Sequence, residues 1–393
     1  MRRAVRRILA ILAVTALTLA GCSLGDDDPQ PGGPGASSED EQAAEKLGFP
    51  YTGTRNTIRV AGGDAAADAA GVASALFPST SESDRPTAVV LVDRGDWQSA
   101  VAASVLAGPP IAAPILLTDG SSLPAVTSDT LDQLEPRGSD LSKDAQVIRI
   151  GNDVARPSGY KTAVVEGDDA FERAAAVDRF FSAARGRPSQ NVVLYSGEDA
   201  EWATPAATWA ARSGDAALPV ERDSVPEPIR KALREHDRPN VYVLGPEQVV
   251  SNNVVAQLQK GLAGSVNRVA GPTPVENAIA FARYRQGDFG WGVEVPGYNF
   301  SVASTTRPLD AAAAASLATR GVFAPLLLTD RAADLPPALE SYFLSVQPGY
   351  EDDPGQAVYN RVWILGDANT ISLRAQARLD RITELIPVQT TAP

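Results

Sequence analysis

One short β-like run ending in glycine occurs three times along this chain. It appears as Ile58-Arg59-Val60-Ala61-Gly62, as Ala163-Val164-Val165-Glu166-Gly167 and as Asn267-Arg268-Val269-Ala270-Gly271, with the glycines 105 and 104 positions apart. A second apolar run follows each marker. It is Ala88-Val89-Val90-Leu91-Val92 before Gly95 and Trp97, Asn191-Val192-Val193-Leu194-Tyr195 before Gly197 and Trp202, and Gly292-Val293-Glu294-Val295 before Gly297 and Phe300. A third run closes on Gly151, Gly245 and Gly366. Recurrence in order and in spacing means three copies of one supersecondary unit, and any fold for the chain must accommodate that repetition.

The strands read as continuous apolar runs, such as Ile115-Leu116-Leu117 and Leu326-Leu327-Leu328, rather than as polar–apolar alternations. Strands buried on both faces belong to parallel sheets covered by helices. Alanine- and leucine-rich stretches at 98–107, 169–184, 206–212, 311–319, 339–344 and 371–385 supply those helices. Each unit is therefore expected to be an α/β layer structure with right-handed crossovers. Consecutive apolar residues on one strand should divide between its two covering layers.

The first residues direct the chain out of the cytoplasm. Arg2, Arg3, Arg6 and Arg7 precede an apolar run at 8–19 that ends in Leu19-Ala20-Gly21-Cys22, which resembles a bacterial lipoprotein signal. The resemblance implies that Cys22, the one cysteine of the chain, carries lipid and becomes the mature N-terminus, leaving no thiol for a disulfide or a thiolate metal site. Residues 23–48 are rich in Asp, Glu, Gly, Pro and Ser and read as an acidic tether that cannot bury enough apolar surface to order itself. Loss of the four signal arginines takes the formal charge from −13 to −17. Such an acidic body disfavours nucleic acid as a partner. The organisation expected is 1–22 signal, 23–48 tether, 49–160, 161–266 and 267–388 repeat units, and 389–393 tail.

The Arg-x-x-Gly strands of copies one and three, the strand–turn–helix with an aromatic, and the near-identical heptapeptides 113–119 and 324–330, which differ only at Ile115 and Leu326, together resemble the cell-wall-binding type 2 repeat family. The resemblance covers about residues 57–388. It implies three tandem Toprim-like α/β modules about a pseudo-threefold axis, attached to an anionic cell-wall polymer at the cell envelope, with the membrane reached through the lipid on Cys22. The chain departs from the family pattern at Gly63-Asp64-Ala65-Ala66, which lacks the usual arginine, and at Ala217-Leu218-Pro219-Val220, which replaces the Pro-Ile-Leu-Leu strand.

Catalytic constellations are scarce. His236 is the one histidine, and its charged neighbours suggest a solvated helix end. No phosphate-binding glycine loop occurs, and no cofactor is expected. Asp93, Asp96, Glu198, Asp199, Asp119 and Asp330 stand near strand ends, where aspartates commonly cap helices and where carboxylates also hold metals or hydrolyse glycosides. The segments 93–99, 197–204 and 297–301 follow strands at the edge where α/β proteins bind ligands. Asp93, Gly95, Trp97, Gly197, Trp202, Gly297 and Phe300 are thus the expected ligand-contacting residues, unless the aromatics serve instead as packing between units. A solute-binding lipoprotein, which would have two lobes and a hinge, and an exported carboxylate-dependent hydrolase are the competing readings.

Overall fold

The computed structural model describes residues 51–60, 62–319 and 325–388. The expected signal, the lipid attachment at Cys22, the tether and the tail lie outside these residues. The first sheet has the order β4-β3-β5-β6, built from Val89–Asp93 (β3), Ile115–Thr118 (β4), Val147–Ile150 (β5) and Thr162–Val165 (β6). The second repeats it as β8-β7-β9-β10, from Asn191–Ser196 (β7), Ala216–Val220 (β8), Asn240–Leu244 (β9) and Ser265–Val269 (β10). The third is β12-β11-β14-β2, from Asn299–Ser304 (β11), Leu326–Thr329 (β12), Arg361–Leu365 (β14) and Thr57–Val60 (β2), with Tyr51–Gly53 (β1) antiparallel on its outer edge. Gly349–Tyr350 (β13) forms a separate parallel pair with Ile386–Pro387 (β15). All pairings among the twelve core strands are parallel. Pro219 is tolerated in β8 because that strand lies at a sheet edge.

The fourth strand of each sheet comes from the following copy. The marker run of copy two pairs with β5, that of copy three pairs with β9, and that of copy one returns to pair with β14, in the register Thr57 to Val362 and Val60 to Leu365. The unit of repetition in the sequence and the sheet in space are therefore offset by one strand, and the chain closes on itself. Each exchange ends in the same bond. Gly151, Gly245 and Gly366 donate their N–H groups to Val165, Val269 and Val60 at 2.9, 2.9 and 3.1 Å. All three have φ between +102° and +111°, a conformation that glycine adopts without penalty.

The helices after the markers exchange in the same direction. Ala65–Leu76, Ala170–Arg185 and Pro274–Arg283 each cover their own copy's sheet and also meet the helix that follows β11, β3 and β7 respectively. Those latter helices, Asp310–Thr319, Trp97–Ala103 and Ala200–Ala203 with Pro205–Ser213, pack on one another at the centre. They are built largely of buried alanine, including Ala100, Ala103, Ala206, Ala210 and all of Ala311 to Ala315. Side chains this small let helix backbones approach closely, and a helix surrounded on all sides is apolar on every face.

Alternation along the strands separates an inner core from outer ones. Val90, Val92, Ile115 and Leu117 join the central cluster, whereas Val89, Leu91 and Leu116 join a cluster on the outer face of the first sheet. In the second sheet Val193 and Tyr195 face the centre, and Val192 and Leu194 face outward. The expected division of consecutive apolar residues thus holds in these sheets.

His236 departs from expectation. It ends the helix Glu227–Glu235 but is 4% exposed. Nε2 lies 2.8 Å from Asp178 Oδ2, and Nδ1 donates to the Ser189 carbonyl at 2.7 Å. Burial alone would lower its pKa, yet the Asp178 carboxylate and the carbonyl hold it above the ordinary value. The charged neighbours in sequence gave no sign of the distant acid that turns the ring inward.

The marker glycines owe their identity to close approach rather than to φ. A Cβ on Gly62, Gly167 or Gly271 would lie 2.4, 2.5 or 2.3 Å from the backbone of the helix that follows. Gly167→Ala should therefore lower unfolding stability by about 1–3 kcal/mol, measured by denaturant titration. Gly53→Ala, where nothing lies within 4 Å, should change it by less than about 0.5 kcal/mol. Equal effects would refute the packing explanation.

Candidate functional site

The turn that leaves each sheet's second strand in spatial order is built alike in all three copies. The last strand residue accepts a hydrogen bond from the N–H two positions on: Asp93 Oδ1 from Gly95 at 3.1 Å, Ser196 Oγ from Glu198 at 3.1 Å, and Ser304 Oγ from Thr306 at 3.3 Å. The third-copy turn is therefore 304–310. This corrects the sequence alignment that placed Gly297 and Phe300 there. Gly297 precedes β11 with φ +107° and donates to Asn360 Oδ1 at 2.9 Å. Phe300 is fully buried within β11, edge-on to Tyr342 and Phe343. Its aromatic character mimicked a turn residue, but Val293 and Val295 lie outside any strand.

Of the remaining expected residues, Asp93 and Gly95 border a cleft of about 430 Å³ at the carboxyl edge of the first sheet. Between β3 and β5 the connections part, β3 leading to β4 on one side and β5 to β6 on the other, and such a switch point is where α/β folds accept ligands. The cleft also receives Asp96, Asp153, Asp168 and Arg173, so its lining is acidic. Gly197 joins the neighbourhood through Gln98, whose Nε2 donates to the Gly197 carbonyl at 3.1 Å, while Tyr195 Oη donates to the Gln98 carbonyl at 2.9 Å. Trp97 and Trp202 are half-buried, Trp97 against the central core and Trp202 against the outer core of the second sheet. Neither lines this cleft. Among the described residues no three His, Cys, Asp or Glu side chains are grouped to hold a metal ion.

Sequence reasoning missed the polar junctions between copies. At the first, Asp96 Oδ2 accepts from Arg173 Nε at 2.8 Å, and Ser99 Oγ accepts from the same nitrogen at 3.0 Å. At the third, the equivalent positions hold the reverse charges: Arg307 donates to Asp68 and, at 3.1 Å, to Asp310. Burial pushes the Asp68 and Asp310 carboxyls upward against the pull of Arg307, and Asp310 is raised further by the Asp68 charge. The corresponding residue at the second junction is Asn277, fully buried, whose Nδ2 has no partner among the described residues. These side chains also close on the marker glycines. Asp68 and Asn277 accept from Gly62 N and Gly271 N at 2.7 and 3.2 Å, and Arg173 donates to the Gly167 carbonyl at 3.1 Å.

The arginines of the Arg-x-x-Gly motif are structural. Arg59 is 2% exposed, donates to the Gly366 and Asp367 carbonyls at 2.7 and 2.9 Å, and has its pKa lowered to about 10 by burial. Arg268 donates to the Gly245 carbonyl at 2.7 Å. Copy two has Val164 instead, and its register partner Arg149 reaches the loop after Gly151, donating to the Val154 carbonyl at 2.9 Å.

Neither a family model nor any curated protein matches the chain. Solved structures do. The chain is similar to Cwp6 from Clostridium difficile, with 17% identity, a TM-score of 0.65, and coverage of 84% of this chain and 48% of that one. It is also similar to Cwp8 from Clostridium difficile, with 19% identity, a TM-score of 0.64, and coverage of 88% and 54%. It shares the fold of part of each, spanning about half of their length.

The reversed junctions generate a test. Asp96→Arg or Arg173→Asp alone should destabilise the protein by placing like charges together. The double exchange should restore about 1–3 kcal/mol of coupling, less about 1 kcal/mol for the lost cap on Ser99 N. Strictly additive effects in denaturant unfolding would show that the pair does not join the copies.

Proposed function

We propose that this chain is a non-catalytic protein of the bacterial cell envelope, held to the membrane by lipid on Cys22 and associating through its three-sheet body with a cell-wall polymer. The observation that carries this reading is the fold it shares with the cell wall proteins Cwp6 and Cwp8. The three sheets meeting at one centre also argue against the solute-binding alternative, which needs two lobes and a hinge. An anionic polymer must be met by local groups, because the body is acidic overall and the carboxyl-edge cleft of the first sheet is lined by four aspartates and one arginine. Repulsion of exposed like charges is screened only beyond about 8–10 Å at physiological salt.

Sedimentation with purified wall fragments tests the polymer half of the reading. The mature protein should pellet with intact walls, remain in solution once secondary polymers have been extracted, and release no soluble fragments. Pelleting that persists after extraction would transfer binding to the peptide-linked glycan, and sugar release would make the protein an enzyme. For the anchor, Cys22→Ala should abolish fatty-acid labelling, and unchanged labelling would exclude that cysteine.

A further inference from the structure

A cleft of about 620 Å³ opens at the amino edge of the third sheet, the edge opposite the turns. Three neighbouring strands begin there with planar polar side chains. Asn56 precedes β2, Arg361 opens β14 and Asn299 opens β11. Asn299 and Arg361 are direct register partners, and the Asn56 carbonyl accepts from Val362 N at 2.9 Å. Strand spacing sets these residues in a row about 5 Å apart. Tyr350 and Tyr359, from the segment that joins the helix Pro337–Ser345 to β14, also line the cleft. Tyr359 is 56% exposed, and its hydroxyl donates to the Pro354 carbonyl at 2.9 Å.

Two groups of this row are available, whereas the Asn56 side chain is buried and donates to the Asp380 carbonyl at 2.9 Å. Among the described residues, neither the Arg361 guanidinium nor the Asn299 amide has a hydrogen-bond or ion-pair partner, while Arg55 is paired with Glu384. The second sheet shows the contrast. There the corresponding row bonds to itself, Asn240 Nδ2 to Asn191 Oδ1 at 3.3 Å and Ser265 Oγ to Asn240 Oδ1 at 2.8 Å. The third-sheet cleft brings two arginines against one glutamate, in a chain whose formal charge is −13.

We infer that this cleft binds an acidic saccharide. A tyrosine ring offers an apolar face to the C–H face of a pyranose, an amide supplies both donor and acceptor to ring hydroxyls, and a free guanidinium takes a carboxylate in two parallel hydrogen bonds. The ligand thus places one sugar ring against the tyrosines and its carboxylate on Arg361. The inference rests on the wall-polymer reading only for the source of the ligand.

Calorimetric titration of the full chain with tri-galacturonic acid, maltotriose and inorganic phosphate tests it. Tri-galacturonic acid should bind at least about fivefold more tightly than maltotriose, with an affinity that falls as salt rises. Arg361→Gln should reduce its affinity to the maltotriose level and remove the salt dependence. Tyr359→Ala should weaken both sugars by about 2–12-fold. Both positions are exposed, so thermal unfolding of the two variants should match the parent, which separates lost binding from lost fold. No binding by the parent, equal affinity for the acidic and neutral sugars, or phosphate binding as tight as the saccharide and indifferent to Tyr359→Ala would each overturn the inference. If wall sedimentation failed while tri-galacturonic acid bound as expected, the site would stand and the wall would be excluded as the source.

Discussion

The parallel pairing of Thr57–Val60 with Arg361–Leu365 is the constraint on which the rest of the architecture depends. Each three-stranded unit, β4-β3-β5 in the first case, leaves one side of its third strand unpaired, and buried N–H and C=O groups cannot be left so without cost. The first two units receive the missing strand from the copy that follows. In the third, Thr57–Val60 (β2) of copy one takes that place. Residues more than 300 positions apart in sequence are thereby neighbours, and a linear array becomes a closed ring.

Closure explains the chemistry at the junctions. Once the copies meet in a cycle, every marker helix must lie against the central helix of the preceding copy, and its fourth side chain after the cap faces that copy's turn. Arg173 against Asp96, and Asp68 against Arg307, solve the same contact with opposite charges. Breaking a partly buried pair strands a charge, whereas a pair exchanged as a whole is tolerated. The copies can thus differ pair by pair while retaining one strand order. The same freedom allows the amino-edge row of the second sheet to bond to itself, while that of the third remains open beside Tyr350 and Tyr359.

Much of this was legible in the sequence. Period, apolar runs and alanine-rich stretches located most of the parallel strands and six of the twelve α-helices among the described residues, because those signals are local. The marker glycines were visible as a pattern, but their cause, a helix backbone where a Cβ would stand, is a tertiary contact. The third-copy turn is misplaced by the sequence because Val293 and Val295, on either side of Glu294 and shortly before Gly297, mimic a strand, whereas the true strand begins at Asn299 and carries serine and alanine. His236 was misjudged because its partner Asp178 is 58 positions away. The amino-edge cleft left no signal, since Asn299 and Arg361 meet only through the pairing of β11 with β14, and Asn56 joins them only by closure of the ring.

That closure can be measured directly. Ile58 and Trp363 are register partners on β2 and β14, both half-buried, at a spacing compatible with a disulfide, whose Cα atoms usually stand about 4.4–6.8 Å apart. In a Cys22→Ser background, the double variant Ile58→Cys and Trp363→Cys has no other thiols. Mild oxidation should join residues 58 and 363 within one monomer, giving a compact species in denaturing gels and a single cross-linked peptide by mass spectrometry. Free thiols after oxidation, or cross-links found only between chains, would contradict a ring closed by β2 of the same chain.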